Sequence, residues 1–220
     1  MASMLDTFLV AAVSAAFHDL DIFCQVSMKI QRSGLLLRKV VANDFLDHPM
    51  VAMLQDLGDS APGLLLIPQE AAILLSASMM MVPKERIGEL MLEGELDDEG
   101  ELTVHEVGNI LTGSLSRLAR ERTKHTHDIR LKDVVFNPDK DLSQIPVLNQ
   151  VCLCYWFAIR TKDHEPMVCD LFLDVATMRA LFPDESIWHS PPGEGRADSD
   201  HGAREEGELE PHLPALETHA

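Results

Sequence analysis

Residues 4 to 18 alternate apolar and small side chains at helical spacing, which predicts an amphipathic helix. Ser3 stands before it with Asp6 three residues on, the arrangement of a capping box, and the helix is expected to end near Asp19. Between Ile22 and Val41 the runs IFCQVSMKI and LLLRKVV are apolar and β-branched, and they read as strands parted by a turn at Arg32-Ser33-Gly34. Met50 to Leu57 and Leu64 to Ile67 are strand-like. GDSAPG at 58 to 63 predicts the turn of an antiparallel hairpin between them. After Pro68, QEAAILLSASMMM places Ala71, Leu74, Leu75 and Met79 at helical spacing, with its methionines as core filling.

Residues 83 to 100 change character, with Pro83, Gly88, Gly94 and Gly100 interrupting an acidic stretch that reads as a loop or short helix. Further strands are expected at Asp128 to Phe136, Val147 to Arg160 and Met167 to Asp174, with breaks at Asn137-Pro138-Asp139 and Lys162-Asp163-His164. CLCYWFAI, in the second of these, is apolar almost throughout, so it belongs in the middle of a sheet or at a subunit contact. A short helix, Ala176 to Leu181, closes the pattern. The order is a helix, three or four strands, two helices, three strands and a helix. It predicts an α+β fold with a mainly antiparallel sheet packed with helices.

Glu101 to Thr123, ELTVHEVGNILTGSLSRLARERT, is the stretch in which the pattern points outward as well as inward. At about 100° per residue, Val104, Val107, Leu111, Leu115, Leu118 and Ala119 fall on one arc and should face a core. Glu106, Asn109, Gly113, Ser116, Arg117 and Arg120 gather opposite, which sets a carboxylate and a carboxamide side by side next to a glycine. Glycine within an exposed helix costs about 1 kcal/mol against alanine, so Gly108 and Gly113 point to close approach of another backbone or a partner. Ordinary helix packing and a solvated polar face would produce the same pattern.

With 220 residues, 46% of them hydrophobic, the chain can bury one sizeable core. A formal charge of −18 argues against nucleic acid or an anionic membrane as partner, since both need clustered Lys and Arg. The composition shows no run of about 18 apolar residues for a membrane span, and FLVAAVSAAF at 8 to 17 lacks the basic flank of a signal peptide. The four cysteines, Cys24, Cys152, Cys154 and Cys169, have no CxxC spacing and read as buried free thiols in a cytoplasmic protein. His125 and His127 near a helix end suit the helix dipole better than a metal. No P-loop, GxGxxG, HExxH or GxSxG occurs, which excludes the classes that depend on them. From Pro183 to the end the chain is acidic and proline-rich. It divides into a domain over residues 1–182 and a disordered tail over 183–220.

The opening helix, the run GLLLIPQEAAILLSASMM, the acidic loop and then VHEVGNILTGSLSRLA together resemble the CheC/CheX/FliY family of chemotaxis phosphatases, over roughly residues 5 to 175. The family signature is a Glu followed three positions later by an Asn, here Glu106 and Asn109 within E-x-G-N-[IM]-x-x-G. A single copy is present, as in the CheX type. Two positions depart from the family: Leu102 stands where members have Asp or Ser, and Arg130-Leu131-Lys132 where they carry a Pro.

The resemblance implies a CheC/CheX-like α+β fold and a phosphatase of a phosphorylated CheY-like receiver domain. Asn109 would position the attacking water and Glu106 would pair with a receiver lysine, while Leu102, Gly113 and Ser116 would face the partner. Mg²⁺ would belong to the receiver, with no cofactor and no metal ligand in this chain. A related domain of the flagellar switch protein FliM lacks the catalytic pair. A non-catalytic adaptor or flagellar scaffold is therefore the alternative, and a homodimer through the apolar strand Val151 to Ile159 is a further expectation.

Overall fold

The structure is a computed structural model that describes residues 3–24, 26–46, 49–57, 61–123 and 128–193. Gly58 to Ser60, His125, His127 and the tail beyond Gly193, all singled out in the sequence, lie outside the described residues. The elements are α1 (Met4–Cys24), β1 (Lys29–Lys39), β2 (Met50–Asp56), β3 (Pro62–Pro68), α2 (Gln69–Met79), α3 (Lys84–Glu93), α4 (Asp98–Thr123), β4 (Arg130–Phe136), β5 (Val151–Arg160), β6 (Met167–Asp174) and α5 (Val175–Leu181). The six strands form one antiparallel sheet in the order β1-β5-β6-β3-β2-β4, so the fold is the expected α+β arrangement.

The helices cover one face of this sheet. Leu5, Leu9, Val13, Phe17 and Leu20 of α1, with Val104, Val107 and Leu111 of α4, are buried against Met53, Leu65, Tyr155, Phe157 and Leu171. A second, smaller core lies on the other face, where Ala52, Leu64, Leu66, Cys154 and Phe172 are covered by Phe45, Ile145 and Val147 from the connections. Strands buried on both faces need continuous apolar sequence, which explains CLCYWFAI. β5 lies inside the sheet, paired with both β1 and β6, and every residue from Cys152 to Ile159 except Trp156 is buried. The apolarity of this strand is accounted for within the domain, and it offers no free edge for a second copy. The sheet edges are β1 and β4.

Several boundaries differ from the sequence reading, each for a local reason. Ser3 caps α1 as expected, its Oγ accepting the Asp6 amide at 2.9 Å. The helix nevertheless runs past Asp19 to Cys24. Beyond that end, Asp21 takes the Met28 amide at 3.0 Å and the Cys24 thiol reaches the Leu75 carbonyl at 3.6 Å. Over 21 residues α1 is also apolar enough to pass for a membrane span by length and composition. Its apolar side is instead the floor of the helix layer.

Arg32-Ser33-Gly34 is not a turn. β1 continues through it with a bulge between Gln31 and Ser33, and Gly34 lies directly beneath the Trp156 indole, where a Cβ has no room. The acidic stretch contains α3 and the start of α4, where Asp97 accepts the Gly100 amide at 2.8 Å.

Residues 183–193, expected as the beginning of the tail, pack on the body. Glu185 accepts the Leu5 amide at 2.8 Å, Trp188 donates to the Phe182 carbonyl at 2.6 Å, and the Gly193 amide donates to the Leu37 carbonyl at 2.7 Å.

Candidate functional site

α4 is 26 residues long and is held from three sides. Its buried arc is the one expected: Val104, Val107, Leu111 and Leu115 lie in the core, and Leu118 is partly buried. Toward α1, the Ser114 hydroxyl and Arg117 Nη2 both donate to Asp19 Oδ2 at 2.6 Å. Toward β4, the Ile129 amide donates to Ser116 Oγ at 3.0 Å, and His105 rests 6.1 Å from the Phe136 ring. Gln55 of β2 reaches Thr112 at 3.4 Å. Tied in this way, α4 cannot rotate without breaking polar contacts on both flanks.

The outward stripe is Leu102, Glu106, Asn109, Gly113, Arg117 and Arg120, all exposed. Leu102 is 69% exposed. Ser116, grouped with this stripe from its spacing, belongs instead to the flank: it is buried, and its hydroxyl holds the approach to β4. Thr112 and Ser114 are the corresponding buried polar positions that the periodicity passed over, because each is satisfied by a residue remote in sequence.

The two glycines also separate. A Cβ on Gly108 would meet Leu131 Cδ2 at 3.0 Å and the Met53 sulfur at 3.5 Å, so this glycine serves the seating of α4 on the sheet. Around Gly113 nothing lies within 4 Å of an added Cβ. The fold gives that position no steric reason to be glycine, although an exposed helical glycine costs about 1 kcal/mol.

Arg117 and Arg120 are both engaged, with Asp19 at 2.6 Å and Asp128 at 3.4 Å. An ion pair within the helix therefore does not hold Glu106. Among the described residues neither Glu106 nor Asn109 has a side-chain partner, and the two stand one helical turn apart on the same exposed face.

The pair also lines neither of two hollows formed by the described residues. One is an apolar cavity of about 50 Å³ between α1, α4 and α5, into which the buried Gln55 faces. The other is a cleft of about 400 Å³ lined by Gln69, Glu95, Glu101, Phe136 and Lys140. Glu106 and Asn109 line neither hollow and stand on an exposed helix face, open to contact with a macromolecule. No group of three His, Cys, Asp or Glu among the described residues is placed to hold a metal ion.

The buried thiols complete the electrostatic picture. Burial pushes Cys24 and Cys152 up to about 11 and Cys154 up to about 12, with nearby carboxylates adding to the effect. These groups are unreactive core residues, not nucleophiles.

No protein-family model and no curated protein matches the chain. Solved structures do match. FliY from Thermotoga maritima superposes with a TM-score of 0.65 at 15% identity, covering 82% of this chain and 92% of that one. The middle domain of FliM from H. pylori gives 0.60 at 9% identity, over 80% of this chain and 93% of that one. FliM from H. pylori in its complex with FliG gives 0.60 at 8% identity, over 83% and 100%. At such identities the likeness establishes the fold. The order of strands and helices, the superposition on FliY and FliM and the signature on α4 agree, and this chain has the fold of the CheC/CheX/FliY family.

Proposed function

We propose that this protein hydrolyses the phospho-aspartate of a CheY-like receiver domain, with Asn109 inserted beside the phosphoryl group and Glu106 orienting the complex. One observation carries this reading: Glu106 and Asn109 project, exposed and without side-chain partners among the described residues, from one face of a helix fixed on both flanks. A carboxamide offers an acceptor and two donors, so Asn109 can hold a water in line with the phosphorus. Water oxygen bonds to phosphorus as the bond to the aspartate oxygen breaks, leaving inorganic phosphate and the free carboxylate. Mg²⁺ would be held by the receiver and would supply charge neutralisation there. This chain supplies no metal and acts by positioning. Glu106 would pair with a receiver cation such as a lysine. With no atom of the described residues within 4 Å of a Cβ built there, Gly113 would leave the partner backbone room to approach. A cytoplasmic location accompanies this reading.

The test is the decay of a phosphorylated receiver domain from the same genome, with and without the protein. Acceleration by the wild type that disappears in Asn109→Ala, with binding retained, supports catalysis by water positioning. Binding with unchanged decay would overturn it.

A second reading is a non-catalytic adaptor or flagellar scaffold. It is favoured by the superposition on FliM, whose H. pylori form is known in a complex with FliG, and by exposed Leu102 at the head of the stripe. Binding without accelerated decay is the outcome that would support it.

A further inference from the structure

The outer strand next to α4 carries an exposed cation, Lys132, with no ion-pair partner among the described residues. Leu54 pairs with Asp133 and Gln55 with Leu131, so Lys132 is the extra residue of a bulge and has no cross-strand partner. A bulge on an outer strand redirects the side chain it displaces. β4 is the last strand of the sheet, and Lys132 is exposed on it. Its height along α4 is set by the contact below: Leu131 lies against Gly108, so Lys132 and Asn109 are the chain neighbours of a touching pair. Ser116 on Ile129 and His105 against Phe136 fix the same alignment above and below.

The other cations here are engaged. Arg117 is bonded to Asp19, and Arg120 and Arg130 lie 3.4 and 3.5 Å from Asp128. Lys132 meets no carboxylate among the described residues. In a chain with a formal charge of −18, an ammonium with no carboxylate partner among the described residues locally offsets a field that would otherwise repel an anionic partner.

We propose that Lys132 is a positioning residue for the partner, its ammonium drawn to the negative charge of the receiver's phosphoryl group as that group comes to Asn109. This rests on the receiver-phosphatase reading and adds to it a source of preference for the phosphorylated form. The bland role for an exposed lysine on an edge strand is to prevent edge-to-edge association. The two roles differ in what they do to the encounter with a partner.

The experiment measures association of a receiver domain loaded with Mg²⁺ and beryllofluoride, a stable phosphoryl mimic, with the full chain at low and high salt. Wild type is compared with Lys132→Glu, Lys132→Gln and Lys132→Arg, the fold of each checked by circular dichroism. Electrostatic steering of this kind changes association rates by about tenfold or more. Lys132→Glu should therefore slow association about tenfold at low salt. Lys132→Gln should slow it less, Lys132→Arg should restore it, and high salt should shrink the differences. The unloaded receiver should discriminate less among the variants.

Equal association rates for wild type and Lys132→Glu would overturn the proposal, and self-association of that variant would then assign the lysine to edge protection. An equal loss with loaded and unloaded receiver would overturn the phosphoryl group as the target. Failure of wild type to bind any loaded receiver would remove the underlying reading as well. Binding by Asn109→Ala with weakened binding by Lys132→Glu supports both.

Discussion

Polar groups on the far face of the sheet and polar groups on the outer face of α4 are treated in opposite ways. On the far face Arg38, 2% exposed, pairs with Asp44 at 2.6 Å, lies 4.0 Å from Asp170 and covers the Phe172 ring at 4.7 Å. Asp44 also takes the Val41 amide at 2.9 Å. Each charge is used by the fold, and the cluster joins the end of β1 and the turn after it to Asp170 on β6, remote in sequence. On α4, Glu106 and Asn109 are exposed and hold nothing within the described chain. Buried charges are costly unless paired, so the first cluster explains itself through folding. An exposed, aligned pair without partners among the described residues, beside a glycine the fold does not require, is what the proposed receiver contact would use.

The contrast can be broken by mutation, in order of the expected change in stability. Arg38→Ala leaves Asp44 and Asp170 buried without their cation and should cost about 3–5 kcal/mol, read as a lowered urea midpoint. A loss below about 1 kcal/mol would mean that water already reaches this cluster. Gly113→Ala should raise stability by about 1 kcal/mol, because helix propensity improves and no atom opposes the methyl group. The same change should weaken association with a receiver domain. Stabilisation with unaltered association would remove the partner from the account of this glycine.

Asn109→Ala and Glu106→Ala should stay within about 0.5 kcal/mol of wild type, as exposed positions do, while phosphate release falls in Asn109→Ala. A large destabilisation by either would make the pair structural. The final test leaves the chain unaltered. With Cys24 and Cys152 raised to about 11 and Cys154 to about 12, only about a thousandth or less of each thiol is ionised at pH 8. Labelling by a thiol reagent should therefore be slow in the native state and reach all four cysteines on unfolding.

Where a single segment contains its own signal, its structure is legible in the sequence. The hairpin of β2 and β3, helix α2, β6 and the inward arc of α4 follow from period, from Pro68 and from the GDSAPG break. The exposed Glu106 and Asn109 follow from the same periodicity. Ser116 did not, because it lies on the flank of the helix, where one hydrogen bond to Ile129 decides between solvent and interior. Ser33-Gly34 carries a turn signal but serves a bulge and the Trp156 ring, a demand made by a strand more than a hundred residues later. The Arg38 cluster was illegible for a similar reason. Its members, at positions 38, 44 and 170, share no local pattern and meet only when β1, β6 and the Ala42–Phe45 turn are assembled.

The clasp between the two ends of the described body has a mechanical consequence. Glu185 holds the Leu5 amide, Phe182 lies 5.2 Å from Phe8, and Gly193 is bonded to Leu37 on the outer edge of β1. A load applied between the ends would fall first on these few bonds. They would open as a zipper, one after another, while the strand pairs behind them remained closed. The first rupture in a pulling trace should therefore be small and reversible, and the force needed to tear the sheet should follow it as a separate, higher peak.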